Sequence, residues 1–174
     1  MRRWNGWGDE ATVVELPAHG EAFLAELVGP GQLLADASLE QVLAMVPASR
    51  LQAHPLICLN AEDRVRHARG QSLPDWLAMR SGDFGVFPDG VAYPESAAQI
   101  RELLAWASQQ DLIVIPYGGG TSVAGHINPQ AGSKPVLTLS LERMGKLIEI
   151  DHDSLIATFG PGANGPQVES QLCA

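Results

Sequence analysis

Apolar positions change their spacing near residue 85. Before it they recur at helical intervals: Phe23, Leu24 and Leu27 within His19 to Val28, then Leu39, Val42, Leu43 and Val46. Ser38, with Gln41 three residues on, is a capping-box pattern for the second run, and Pro47 stops it. Asp63 to His67 and Leu73 to Arg80 predict two short helices around Gly70, with Trp76, Leu77 and Met79 as core contacts. After residue 85 the texture is α/β. Gly90 to Pro94 predicts a short strand. Ser96 caps a helix whose apolar face carries Ile100, Leu103, Leu104 and Trp106. Asp111 marks a turn, and Leu112-Ile113-Val114-Ile115 reads as a buried strand. A strand–helix–strand unit of this length makes its two strands parallel.

Val136 to Leu139 predicts a third strand. Lys146 to Ile150 and Leu155 to Phe159 predict a hairpin joined by Asp151-His152-Asp153-Ser154, and Pro166 to Leu172 begins a helix. The expected fold class is α/β (α+β). Its organisation is a mainly helical region over 1–85, a small parallel βαβ unit over 86–145, and the opening of a further unit over 146–174.

Immediately after the Leu112–Ile115 run comes Pro116-Tyr117-Gly118-Gly119-Gly120-Thr121-Ser122-Val123-Ala124-Gly125. Consecutive glycines let backbone turn tightly and approach a ligand with no Cβ between them. Successive N–H groups in such a turn form a concave anion site, and the Thr121 and Ser122 hydroxyls add donors. A pyrophosphate can be held this way without lysine. The pattern lacks the Lys-Ser/Thr pair of a Walker loop, and its glycine spacing is not Gly-x-Gly-x-x-Gly. The three glycines alone also fit a plain glycine-rich turn. The carboxyl end of a strand is where α/β sheets usually bind ligands.

Composition narrows the partners. The 174 residues are 45% hydrophobic and 18% charged, with net charge −9, as in a packed domain of ordinary size. That charge disfavours nucleic acid and anionic membrane surfaces, since no basic stripe exists. Cys58 and Cys173 are too few for a disulfide framework or a zinc site and read as reduced thiols. His19, His54, His67, His126 and His152 have no i, i+4 ligand spacing, so no metal site is expected. His126, just past the glycine loop, is read as a surface histidine rather than a pyrophosphate contact. Asp63 and Arg64 are adjacent enough to pair, but an exposed pair contributes little. No transmembrane run or signal peptide is visible, and cytoplasm is the expected compartment.

The stretch IPYGGGTSVAG resembles the flavin pyrophosphate loop of the vanillyl-alcohol oxidase/p-cresol methylhydroxylase superfamily of FAD enzymes. More narrowly it resembles the branch containing alkyldihydroxyacetone-phosphate synthase. Four further segments match that branch in order: Arg3 to Gly8; Glu62 to Val65 with Leu73 to Gly82; Ser140 to Lys146; and Gly160-Pro161-Gly162 followed by Gln167 to Leu172. Residues 9–60 match only loosely.

The resemblance implies that Gly118, Gly119, Gly120, Thr121, Ser122 and Val123 wrap the FAD pyrophosphate, with Pro116 and Tyr117 leading in. It places Ser140 where the family has aspartate, Met144 on its methionine and Gly145 on its asparagine. Gly162 matches the glycine that lets the second FAD-binding subdomain approach the flavin. Thr121 stands where covalent members carry a flavin-linking histidine, which implies non-covalent FAD.

The resemblance also implies that this chain holds the first FAD-binding subdomain and the start of the second, with the catalytic residues beyond residue 174. The chain is therefore expected to be the amino-terminal part of a larger enzyme, inactive by itself. In most of the superfamily the flavin accepts a hydride; in the synthase branch an acyl group of acyl-dihydroxyacetone phosphate is exchanged for a long alcohol, with no net redox change. Bacterial relatives include 2-hydroxyacid oxidases. The residues themselves leave two other readings open: a phosphate or nucleotide binder that does not use FAD, and a non-catalytic remnant.

Overall fold

The computed structural model describes residues 3–17, 19–31 and 35–173. Residues 1–2, 18, 32–34 and 174, which the expected domain boundaries include, lie outside the described residues.

The amino-terminal region is helical. α1 (Gly20–Val28) and α2 (Leu39–Met45) are followed by α3 (Ala61–Arg66) and α4 (Leu73–Ser81). The predicted capping box forms at α2: Ser38 Oγ accepts from Gln41 N at 3.2 Å, while Gln41 Oε1 accepts from Ser38 N at 2.8 Å. Ser72 and Asp75 form the same box at α4, which ends at Gly82 in the left-handed conformation. The apolar faces of α2, α3 and α4 converge on Val42, Val65, Ala68 and Met79, with Phe84 and Phe87 beneath. Trp4 stacks on Phe84 with ring centroids 6.3 Å apart. Three expectations fail here. Trp76 and Leu77 are exposed, leaving Met79 as the core residue of α4. Along α1, Phe23, Leu24 and Leu27 are all exposed, and the helix has no buried residue. Arg64 does not pair with Asp63; it is buried and donates to the Pro88 and Pro47 carbonyls.

The second region is a four-stranded sheet in the order β1 (Ile57–Cys58), β2 (Gly90–Ala92), β4 (Val136–Ser140), β3 (Ile113–Tyr117). α5 (Ala97–Gln109) connects β2 to β3, and Ser96 accepts from Gln99 N as its cap. β2 and β3 are parallel, as the βαβ pattern requires, but β4 lies between them and pairs with both. β4 is buried at every position, whereas β3 is the sheet edge. That corrects the reading of Leu112–Ile115 as a buried strand: Ile113 is 41% exposed. The edge position also accommodates Pro116, which has no N–H for a ladder. β1, a two-residue antiparallel partner of β2, has no local sequence signal. Leu103 and Ala107 of α5 pack the sheet face, with Ile100 and Trp106 partly buried. Burying Leu103 in this way stabilises the layer by about 2 kcal/mol.

β5 (Leu147–Asp151) and β6 (Ile156–Phe159) form the expected hairpin, and α6 (Gly165–Leu172) follows. Asp151 Oδ1 accepts from the N–H groups of Asp153 and Ser154, closing the turn. Ile148, Ile156 and Leu155 of this hairpin are exposed.

Candidate functional site

The glycine loop begins where β3 ends. Tyr117, buried, donates its hydroxyl to the Arg66 carbonyl at 3.2 Å, and its ring lies 4.5 Å from that of His67. The residue before the loop is thereby tied to α3. Gly120 has φ +71°, a conformation that favours glycine. A Cβ added at Gly118 would meet nothing within 4 Å. Among the described residues no protein acceptor takes the main-chain N–H of Gly120 or Thr121.

The far end of the loop is latched to the α3–α4 junction. Gln71 N donates to the Ser122 carbonyl at 2.6 Å, and Gly70 N donates to Asn128 Oδ1 at 3.0 Å. Asn128 Nδ2 in turn donates to Asp75 Oδ1 at 2.6 Å. A Cβ at Gly70 would stand 2.3 Å from the Ser122 carbonyl oxygen, so this approach needs glycine. Ser122 Oγ and His126 Nδ1 are 3.1 Å apart, which places His126 beside the loop.

A cavity of about 690 Å³ lies between the loop, α3 and the segment before α6. Gly118, Gly119 and Thr121 line one side, and Pro161 to Gly165 another. Gly162 is held by its neighbours: its N–H donates to the Met144 carbonyl at 3.2 Å, and a Cβ there would lie 1.7 Å from Leu141 O. Of the residues singled out from sequence, this cavity brings together Gly118, Gly119, Thr121 and Gly162. The others surround it. Pro116 sits in register with Leu139 on the sheet edge, and Tyr117 and Gly120 are buried. Ser122 turns its carbonyl to Gln71 at the α3–α4 junction, and Val123 is exposed. Ser140 is fully buried in register with Tyr117. Met144 lies in a 3₁₀ turn (Glu142–Met144) whose carbonyl supports Gly162.

Sequence reading missed the third wall: Asp63, Arg66, His67 and Tyr93. Asp63, Arg66 and His67 are spaced i, i+3, i+4, so one face of α3 carries them to the cavity, and that spacing was the available signal. Tyr93 donates its hydroxyl to Asp63 Oδ1, and the Cys58 thiol donates to Asp63 Oδ2 at 3.3 Å. Burial, reinforced by Asp63, pushes the Tyr93 phenol far above its ordinary value; burial first and Asp63 second push the Cys58 thiol up. Both stay protonated at neutral pH, so Asp63 faces a phenol and a thiol rather than their anions. His67 Nδ1 donates to the Asp63 carbonyl at 2.8 Å, and the Arg143 guanidinium lies 5.1 Å from the Tyr93 ring centre. Among the described residues no group of three or more His, Cys, Asp or Glu is arranged to hold a metal ion, and no helix is long and apolar enough to cross a membrane.

The glycine loop thus faces a second glycine-containing segment, Pro161 to Gly165, across a cavity of the size that small-molecule ligands occupy. Residues 88–174 match the family described as FAD binding domain, and the chain belongs to that family. It is 26% identical over 206 residues to alkyldihydroxyacetonephosphate synthase from Dictyostelium discoideum, covering 98% of this chain and 34% of that protein. The glycolate oxidase subunit GlcD of Bacillus subtilis is 33% identical over 75 residues, covering 43% of this chain and 15% of that protein. A solved structure of alkyldihydroxyacetonephosphate synthase superposes with TM-score 0.80 at 22% identity, covering 99% of this chain and 37% of that one; the likeness is one of fold. The chain spans about a third of the length of the curated synthases it matches.

Proposed function

We propose that this chain is the FAD-binding part of an alkyldihydroxyacetonephosphate synthase-like flavoenzyme, holding the FAD diphosphate non-covalently on Gly118 to Ser122. The observation that carries the reading is the cavity bounded by Gly118, Gly119 and Thr121 on one side and Gly162 on the other. Bound there, a flavin supplies a ring able to exchange an electron pair with a substrate carbon. The chain's own residues bind and orient. Main-chain N–H groups of the loop donate hydrogen bonds to the diphosphate, Gly162 admits the ligand between the two segments, and Tyr93 and Asp63 keep a proton fixed at the wall. The residues that act on substrate are assigned to other parts of the enzyme. Similarity to the synthase over nearly the whole chain, residues before the FAD-binding segment included, favours acyl-dihydroxyacetone phosphate as substrate.

Flavin titration of the protein expressed from its whole reading frame tests the site. Gly119→Asp adds a carboxylate beside the diphosphate and is expected to abolish FAD binding; unchanged affinity would remove the loop from the site. A second reading, a 2-hydroxyacid oxidase, is favoured by the 33% identity to the glycolate oxidase subunit. Anaerobic bleaching of the bound flavin by glycolate or D-lactate would select it over the synthase.

A further inference from the structure

The glycine loop carries no lysine or arginine from Pro116 to Asn128, so its backbone donors face two phosphate charges without a cation of their own. Arg66 is the only side chain with a permanent positive charge among the described residues lining the cavity. It lies on α3, outside the segment that matches the FAD-binding family. Its backbone is fixed to the loop's entry by the Tyr117 hydroxyl at 3.2 Å. Its guanidinium is mostly buried and bridges two carboxylates: Nε donates to Glu62 Oε1 at 2.9 Å, and Nη2 lies 2.8 Å from Glu62 and 3.1 Å from Glu10. Glu62 is an i,i+4 partner on the same side of α3, whereas Glu10 reaches in from the amino-terminal segment.

We infer that Arg66 is a cofactor-binding residue whose guanidinium turns from Glu10 to the diphosphate held by the glycine loop. The inference rests on the reading of that loop as the diphosphate site. The planar fork matches phosphate geometry, and charge-assisted hydrogen bonds to phosphate are among the stronger ones. Burial works against the charge, but the hydrogen bonds Arg66 donates to Glu62 and Glu10 outweigh it and raise its pKa, so it stays cationic. Glu62 keeps the side chain in place while Glu10, the more distant partner by sequence, is the one exchanged. Glu10 therefore competes with the cofactor rather than helping it. Its loss has the opposite effect to the loss of Arg66.

Binding of FAD and of riboflavin, which has no phosphate, is measured by fluorescence quenching in the protein expressed from its whole reading frame. Arg66→Gln is expected to weaken FAD about ten- to a hundredfold and to leave riboflavin unchanged. Glu10→Gln is expected to hold FAD as tightly as the unmodified protein or more tightly. Equal weakening by Arg66→Gln and Glu10→Gln would mean that Arg66 only anchors the amino-terminal segment, and would overturn the inference. So would unchanged FAD affinity in Arg66→Gln while Gly119→Asp abolishes it. Unchanged affinity in Gly119→Asp would instead remove the diphosphate site itself. If Arg66→Gln does not fold, Arg66→Lys decides: it keeps the charge and loses the fork, so a several-fold loss for FAD alone supports the inference, and full FAD affinity overturns it.

Discussion

Gly162 lies so close to Leu141 that a Cβ on it would stand 1.7 Å from the Leu141 carbonyl oxygen. The neighbour is backbone and cannot swing aside, and the same carbonyl accepts the Met144 N–H that builds the 3₁₀ turn. Gly162→Ala must therefore move the segment before α6 away from that turn. Overpacking of this kind costs about 1–3 kcal/mol. It should lower the melting temperature and weaken FAD together. Gly118→Ala is the contrasting case. Its added Cβ meets no protein atom within 4 Å, so the melting temperature should stay within a degree or so while FAD affinity falls. Equal behaviour of the two variants would show that space at Gly118 is not space for a ligand.

The latch at the other end of the loop gives a second test. Asn128 accepts from Gly70 N and donates to the buried carboxylate of Asp75, which also accepts from Ser72. Asn128→Ala leaves one donor and one acceptor unmet in a partly buried place, at about 1–3 kcal/mol. Differential scanning calorimetry should register that loss. Hydrogen exchange should show faster opening at residues 118–128 than in β4. Protection unchanged in the loop would mean that Asn128 does not hold it.

How far these features could be read from sequence depends on their range. The capping boxes at Ser38 and Asn164, the cap at Ser96 and the Asp151 turn are local, and three or four neighbouring residues announce each one. The βαβ unit and the hairpin follow from periodicity. The insertion of β4 between β2 and β3 does not, because nothing within either strand specifies its neighbour. For the same reason the apolar run Ile113-Val114-Ile115 reads alike in a central strand and at an edge. The glycine loop at the end of β3 was legible in the sequence, yet its supports at Gly70, Asp75 and Arg66 stand some fifty residues away in sequence. Only folding reveals those contacts. On α1 the helical spacing was correct, but an apolar stripe carries no information about what covers it.

Thr121 leads to a prediction about cofactor chemistry. It lines the cavity, and neither Cys58 nor Cys173 does. A threonine hydroxyl is a poor nucleophile at neutral pH. Flavin bound by this protein should leave it completely on acid precipitation, giving a yellow supernatant and a colourless pellet. Flavin fluorescence that stays with the polypeptide on a denaturing gel would contradict this.

Asp89 and Arg50 predict a pH dependence of stability that is independent of the cofactor. Asp89 is buried, immediately before β2. Its Oδ1 accepts from Arg50 N and Nε, and its Oδ2 from Arg50 Nη2 and Val136 N, the first residue of β4. The side chain thus joins the starts of the two central parallel strands. Burial alone would raise its pKa, but the Arg50 guanidinium and the two backbone N–H donors outweigh burial and hold it below the ordinary 3.8. A carboxylate with a depressed folded pKa contributes stability that is complete above its unfolded value and lost as pH falls through the folded one. The contribution is therefore whole at pH 5 to 7 and declines only below about pH 4. Asp89→Asn keeps the shape but removes the charge and one acceptor. Because Arg50 is partly exposed and can rehydrate, the cost is smaller than for a fully buried pair, about 2 kcal/mol. Urea denaturation of both proteins at pH 7, 5 and 3 measures it. The stability difference should be constant between pH 7 and 5 and shrink at pH 3, where the unfolded carboxylate takes up its proton ahead of the native one. A difference that widens on acidification would mean that Asp89 carries no native charge.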